Sequence, residues 1–344
     1  MSDVQAAGAL RRKIMALYAV LIPANLAAWI WALALLHDRP LLIGAAALAY
    51  GFGLRHAIDA DHIAAIDNVT RKLMQEGQRP VSVGLFFAIG HSSIVFAASV
   101  LVAMTAGALQ KVEALKAVGG VISTIASAGF LFAIGAMNLL ILRGLLRALR
   151  QMRDGSFEPS TATLPVASGL FARLLKPLFG LIRSSWHMAP LGLLFGLGFE
   201  TATEVSVMGL SASQASSGAP LALALVFPTL FAAGMSLVDA TDGVLMVGAY
   251  QWAFVDPRRK VYYNGAITLV SALVAILIGG VEAAGLLADQ FGLKGGAWSL
   301  AANVAGHFNL LGGVVILLFL GCWLASVGFW RARRAMRPGW TTEG

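Results

Sequence analysis

Long apolar runs separated by short polar stretches dominate this chain of 344 residues. An α-helix rises about 1.5 Å per residue, so about 20 apolar residues cross the hydrocarbon layer of a bilayer. By that measure the pattern predicts eight spans, near 14–36, 41–67, 81–106, 118–142, 189–210, 218–249, 262–287 and 301–330. The predicted fold class is all-α: a polytopic membrane protein with eight transmembrane helices, residues 1–344 forming a single transmembrane domain. The only long polar connection, 150–187, separates four spans from four. Its segment 171–183 mixes apolar residues with scattered positive charge, as in a helix lying in the interface plane, and 150–187 is read as a cytoplasmic linker on the membrane surface.

Composition supports the class: 58% hydrophobic and 12% charged residues, with a mean hydropathy of +0.78, leave too little polar surface for a soluble protein. Arg11, Arg12 and Lys13 precede the first run like the flank of a signal peptide, but the run is too long for one and no cleavage site follows, so it is read as a permanent helix. With the N-terminus in the cytoplasm, 20 of the 25 Lys and Arg fall on the inner side, which puts both termini there. The net charge of +8 then reflects topology and anionic lipid rather than nucleic-acid binding. The single cysteine, Cys322, excludes an intrachain disulfide and a cysteine-based metal site.

Against this background the second run is anomalous: Arg55-His56-Ala57-Ile58-Asp59-Ala60-Asp61-His62 and Asp67 place ionisable groups inside a span. Each costs roughly 2.5–3.5 kcal/mol at the bilayer centre on insertion scales, so together they imply a polar interior that a charged species occupies or crosses. Imidazole and carboxylate suit nickel, cobalt and zinc. The predicted metal residues are His56, Asp59, Asp61 and His62, with His91 from the next span. On one continuous helix His56, Asp59, Arg55, His62 and Asp67 would share an arc of roughly 140°. Asp61 falls off that arc, so either the helix is distorted near Gly53 or Asp61 meets a neighbour. Asp59 and Asp67 are candidates for orienting the imidazoles, and Arg55 for balancing charge.

Other polar groups inside spans join the candidate ion path: Glu200, Thr201 and Glu204 in span five, Asp239 and Asp242 in span six, and Asn25 near Pro23 in span one. The alternative for the threonines is interhelical hydrogen bonding, and for Asn25 satisfaction of a proline kink. His37, His187 and His307 are open between metal contact and ordinary surface or interhelical roles. Gly51 to Asp59 aligns without gaps on Gly196 to Glu204, and Gly90-His91-Ser92 on Gly234-Met235-Ser236. Because spans two and five run in opposite directions, this predicts an inverted three-helix repeat of spans 2–4 and 5–7, with Asp59 and Glu204 near one another. The Gly-x-Gly pairs permit close helix approach and weaken the helix locally.

The segment Arg55 to Ile63 resembles the signature of the nickel/cobalt transporter family, whose His-x4-Asp-His core falls on His56, Asp61 and His62. Family-like segments follow at Phe87–Val95, Leu197–Val205 and Gly234–Gly243. The resemblance implies eight transmembrane helices, cytoplasmic termini, and high-affinity uptake of Ni²⁺, sometimes Co²⁺, across the cytoplasmic membrane of bacteria. Two departures, Glu200 for Asp and Ala240 for Thr, bear on selectivity. The expectation is a secondary carrier working by alternating access, with the metal as transported substrate and no cofactor. No phosphate-binding loop is present, so ATP is not used directly and no obligatory ATPase subunit is implied. The alternatives are a related efflux carrier and an intramembrane metalloenzyme; the second lacks the hydrolase His-Glu-x-x-His pattern.

Overall fold

The computed structural model describes residues 3–104, 108–154, 180, 182–198, 201–254 and 257–335. These are almost entirely helical: α1 (Asp3–Leu36), α2 (Pro40–His56), α3 (Ala60–Gln75), α4 (Val83–Met104), α5 (Ala108–Arg153), α6 (Met188–Gly196), α7 (Ala202–Ser216), the short α8 (Leu221–Ala224), α9 (Val226–Phe254), α10 (Pro257–Phe291), α11 (Gly296–Ala305) and α12 (Phe308–Ala335). Among the described residues five stretches are long and apolar enough to cross a bilayer, and counting each of two sharply bent pairs as one span makes seven. The protein is an all-α polytopic membrane protein. Most of the 150–187 connection lies outside the described residues, as does Glu200; α5 itself continues to Arg153.

The expected continuous helix over 41–67 is corrected by the structure. Two helices, α2 and α3, meet at a 52° bend. The break falls at Ala57–Asp59, where Asp59 takes an extended ψ of 146° at the N-cap position of α3, rather than at Gly53. Gly53 instead allows close packing, because a Cβ there would collide with the Phe231 carbonyl of α9. The break also voids the single 140° arc: His56 and His62 still meet across it, but Asp67 turns to Tyr250 and Ser271. The last expected span, 301–330, divides likewise into α11 and α12, bent by 77°. Gly312 of α12 lies directly against the Ile58 carbonyl in the α2–α3 break, leaving no room for any side chain.

Polarity runs from centre to rim. Leucines such as Leu41, Leu300 and Leu317 are exposed, as helices facing hydrocarbon should be, whereas His62, Asp67 and Asp239 are fully buried. Glycines bring the central helices together: Cβ atoms on Gly84 and Gly90 of α4 would strike the backbones of α9 and α6 respectively. Close approach of this kind replaces the hydrophobic driving force that lipid does not supply between spans.

Candidate metal-ion site

The α2–α3 break builds the site. His56 ends α2 and His62 lies in the first turn of α3, so the bend turns the two imidazoles toward each other across Asp59. His91 enters from the middle of α4. The three rings form a nearly equilateral triangle, with centroids 4.7 Å apart for His56–His62 and 4.8 Å for the other two pairs. One ring nitrogen from each residue lies within 4.8 Å of the others. All three side chains are buried.

Carboxylates hold two of the rings from behind. His56 Nδ1 donates to Asp59 Oδ2 at 2.9 Å, which leaves its Nε2 lone pair facing His91 Nε2 at 2.9 Å. Asp239 Oδ1, from α9, lies 3.4 Å from His62 Nδ1, and His62 Nε2 is buried without a partner among the described residues. A carboxylate on the far nitrogen of a histidine fixes the tautomer and raises the basicity of the near one. Glu204, in the first turn of α7, accepts from His91 Nε2 at 3.0 Å and lies 3.8 Å from His56 Nε2. Its other oxygen belongs to a capping box with Thr201, which donates from Oγ1 at 2.9 Å. Helix capping thus sets the position of this carboxylate, and Asp59 and Glu204 address opposite nitrogens of the same His56 ring.

Phe87 stands edge-on to His62 at 4.8 Å and Phe231 lies 5.5 Å from His56, shielding two ring faces. The opposite side opens into a cavity of about 800 Å³. His56, His91, Asp59, Asp61 and Glu204 line it, as do Ser127 of α5 and Glu282 of α10. Asp61 presents a buried oxygen, Oδ1, with no partner among the described residues. Converging imidazole nitrogens, unsatisfied acceptors and an acidic cavity form a donor set for a borderline divalent cation, held by nitrogen and oxygen.

The remaining candidates are divided by the structure. Arg55 lines the cavity but is exposed, and no ion pair of Arg55 is found among the described residues; the expected charge-balancing role is not what the geometry presents. Asp67 turns away from the histidines, accepting from Tyr250 of α9 and from Ser271 of α10 at 2.8 Å. Asn25 bonds the Leu21 carbonyl and the Tyr50 hydroxyl, each at 3.0 Å, which ties α1 to α2. Asp242 is buried, with Oδ2 unpartnered among the described residues. His37 pairs with exposed Asp38, His187 stacks on Trp186, and His307 bonds the Asn303 carbonyl. Sequence reasoning missed Arg71, which lies beyond the second predicted span, 41–67. It is 2% exposed and bonded to Asn68, Asn138 and Thr268. The signal was present in the placing of Asp67, Asn68 and Arg71 on one helical stripe.

Comparison with known proteins agrees with this chemistry. A family model described as high-affinity nickel-transport protein matches residues 42–328. A high-affinity nickel transport protein of Cupriavidus necator is 54% identical over 327 residues, covering 94% of this chain and 93% of its own. The hydrogenase nickel incorporation protein HupN of Bradyrhizobium diazoefficiens is 50% identical, covering 92% of this chain and 83% of its own. The cobalt transport protein NhlF of Rhodococcus rhodochrous is 41% identical, covering 84% and 83%. No solved structure matches.

Proposed function

The chain belongs to the high-affinity nickel-transport protein family, and from that premise we propose that it is a secondary carrier taking Ni²⁺, and also Co²⁺, into the cell by alternating access. It is not an enzyme, and the metal is cargo rather than cofactor. The observation that carries the reading is the buried triangle of His56, His62 and His91 at a broken helix, with His56 and His91 lining an acidic cavity. A hydrated cation entering the cavity meets Asp61, Asp59 and Glu204, exchanges water for imidazole nitrogen, and displaces the proton between the facing His56 and His91 nitrogens onto the water it gives up. Asp59 and Asp239 keep the far nitrogens occupied while it does so. Glu204 supplies negative charge beside the ion.

We retain eight crossings, with α6 and α7 together as the fifth, a single transmembrane domain, a surface linker over 150–187, cytoplasmic termini, and residence in a bacterial cytoplasmic membrane. The surplus of Lys and Arg on one side supports that orientation. The inverted repeat is supported by reciprocal packing. Gly90 of α4 lies against Ala189 and Leu193 of α6, and its aligned partner Gly234 of α9 lies against Tyr50 and Leu54 of α2. The second helix of each unit packs on the first helix of the other, though not in identical register. Two such units rocking about a central site give alternating access. An inside-negative potential supplies about 2.3 kcal/mol per charge per 100 mV, hence about 4.6 for a divalent ion, so no ATPase partner is required.

Reconstitution into liposomes containing a metal-sensitive dye, with an imposed inside-negative potential, tests the reading. Wild-type carrier should show saturable Ni²⁺ entry, and His56→Ala and His62→Ala should abolish it at unchanged membrane abundance. Normal uptake by both variants would sink the histidine site; efflux alone from metal-loaded vesicles would reverse the direction.

A further inference from the structure

The end of the bundle opposite the cavity is tied shut by polar bonds. Arg71, near the end of α3, is 2% exposed. Its guanidinium donates to Thr268 Oγ1 of α10 at 2.7 Å, to Asn68 Oδ1 at 3.1 Å and to Asn138 Oδ1 of α5. Asn138 Nδ2 in turn donates to Asn68 Oδ1 at 2.7 Å. One turn earlier, the Asp67 carboxylate accepts from Tyr250 of α9 and Ser271 of α10. Four helices therefore meet in one hydrogen-bonded layer. The segment before α6 lies over the same end: Lys72 donates to the Ile182 carbonyl and Gln78 to the Arg183 carbonyl. The Ile182 side chain packs among Val69, Leu73 and Phe87.

Helices α5 and α10 carry both features at opposite ends. Ser127 and Glu282 line the cavity, whereas Asn138 and Thr268 bond Arg71. At 1.5 Å per residue those pairs are separated by about 16 Å along α5 and about 21 Å along α10. His62 stands between, about 13 Å along α3 from Arg71. One face of the histidine cluster is thus open, and the way to the other end is barred by a layer that must come apart for an ion to leave.

We infer that Arg71, with Asn68, Asn138 and Thr268, is the gate on the cytoplasmic side of the ion path, closed while the cavity side is open. The inference rests on the carrier reading above. The chemistry suits a gate better than an apolar seal would. Each bond exchanged for water costs little net free energy, so closed and open states stay close enough in energy to alternate. Arg71 touches no ion here; it is a positioning residue that acts through the helices it ties together.

Thr268→Val removes one acceptor at nearly constant shape, and Asn138→Ala removes another. Loss of one hydrogen bond to a charged group shifts the equilibrium between states about tenfold. Spin labels on full-length carrier in liposomes, in a Cys322→Ser background, read that shift directly. Exposed Glu76 and Arg150 report the gate side, and exposed Asp38 and Gln290 the cavity side. Both variants should gain about tenfold more of a long-distance population across the gate, with a matching contraction across the cavity. Thr268→Ser, which keeps the hydroxyl, should restore the wild-type distribution. Unchanged distances in both pairs for whichever variant inserts would overturn the gate. Metal uptake by the wild type, measured separately, tests the carrier reading, so intact uptake with unmoved distances removes the gate alone.

Discussion

His56, His62 and His91 each have a carboxylate oxygen within 3.4 Å of a ring nitrogen. Asp239 lies at His62 Nδ1, and Asp239→Asn, which weakens that acceptor without changing volume, should lower metal affinity by about 10–100-fold, read as a raised KM for Ni²⁺ uptake with folding intact. A wild-type KM would leave Asp239 with a packing role only. Glu204→Gln should keep the capping geometry with Thr201 while removing the charge beside His56 and His91, and should change the Ni²⁺ to Co²⁺ preference measured in competition. The two arginines exchange the roles that their positions in the sequence suggested. Arg55 is exposed in the cavity wall, so Arg55→Leu should leave the detergent melting temperature near wild type. Arg71→Leu takes the donor away from buried Asn138 Oδ1 and Thr268 Oγ1 at about 1–3 kcal/mol for each unpaired group, and its melting temperature should fall by several degrees. Equal stability of the two variants would refute that assignment.

Among the helices, glycine decides what can touch. A Cβ on Gly84 would overlap the Asp239 carbonyl, so α4 and α9 meet there backbone to backbone. Gly84→Ala should force them apart, cost about 1–3 kcal/mol by overpacking, and move Asp239 away from His62, lowering both stability and uptake. Gly51→Ala is the control, since nothing lies within 4 Å of a Cβ at that position, and it should be silent in both assays. The motif in α2 and α3 was legible as chemistry from its residue types, but its geometry was not. Helical periodicity assumes a continuous helix, and the extended Asp59 interrupts it, so Asp67 ends against Tyr250 and Ser271 rather than beside His56. The same assumption hid the bend between α11 and α12.

For the whole molecule, the membrane potential should act on the ion as a doubly charged substrate. Initial Ni²⁺ uptake into liposomes should rise with each imposed inside-negative step, and the accumulation limit should approach about two thousandfold at 100 mV, from about 4.6 kcal/mol for two charges. A rate and limit indifferent to potential would mean that compensating charge moves with the metal. The sequence by itself determined the membrane class, the helical content, the metal chemistry and the family, because these follow from local quantities: run length, the cost of charge in hydrocarbon, and donor type. Only the tertiary structure decided which polar residues share a site. His91 and Glu204 join His56 from 35 and 148 residues away in the chain, Asp67 and Asn25 are drawn off to other partners, and Arg71 is buried rather than solvated. The physical reason is that a helix break redirects every side chain beyond it. Whether a buried charge meets an ion, an amide or water is then set by which backbones glycine allows to approach.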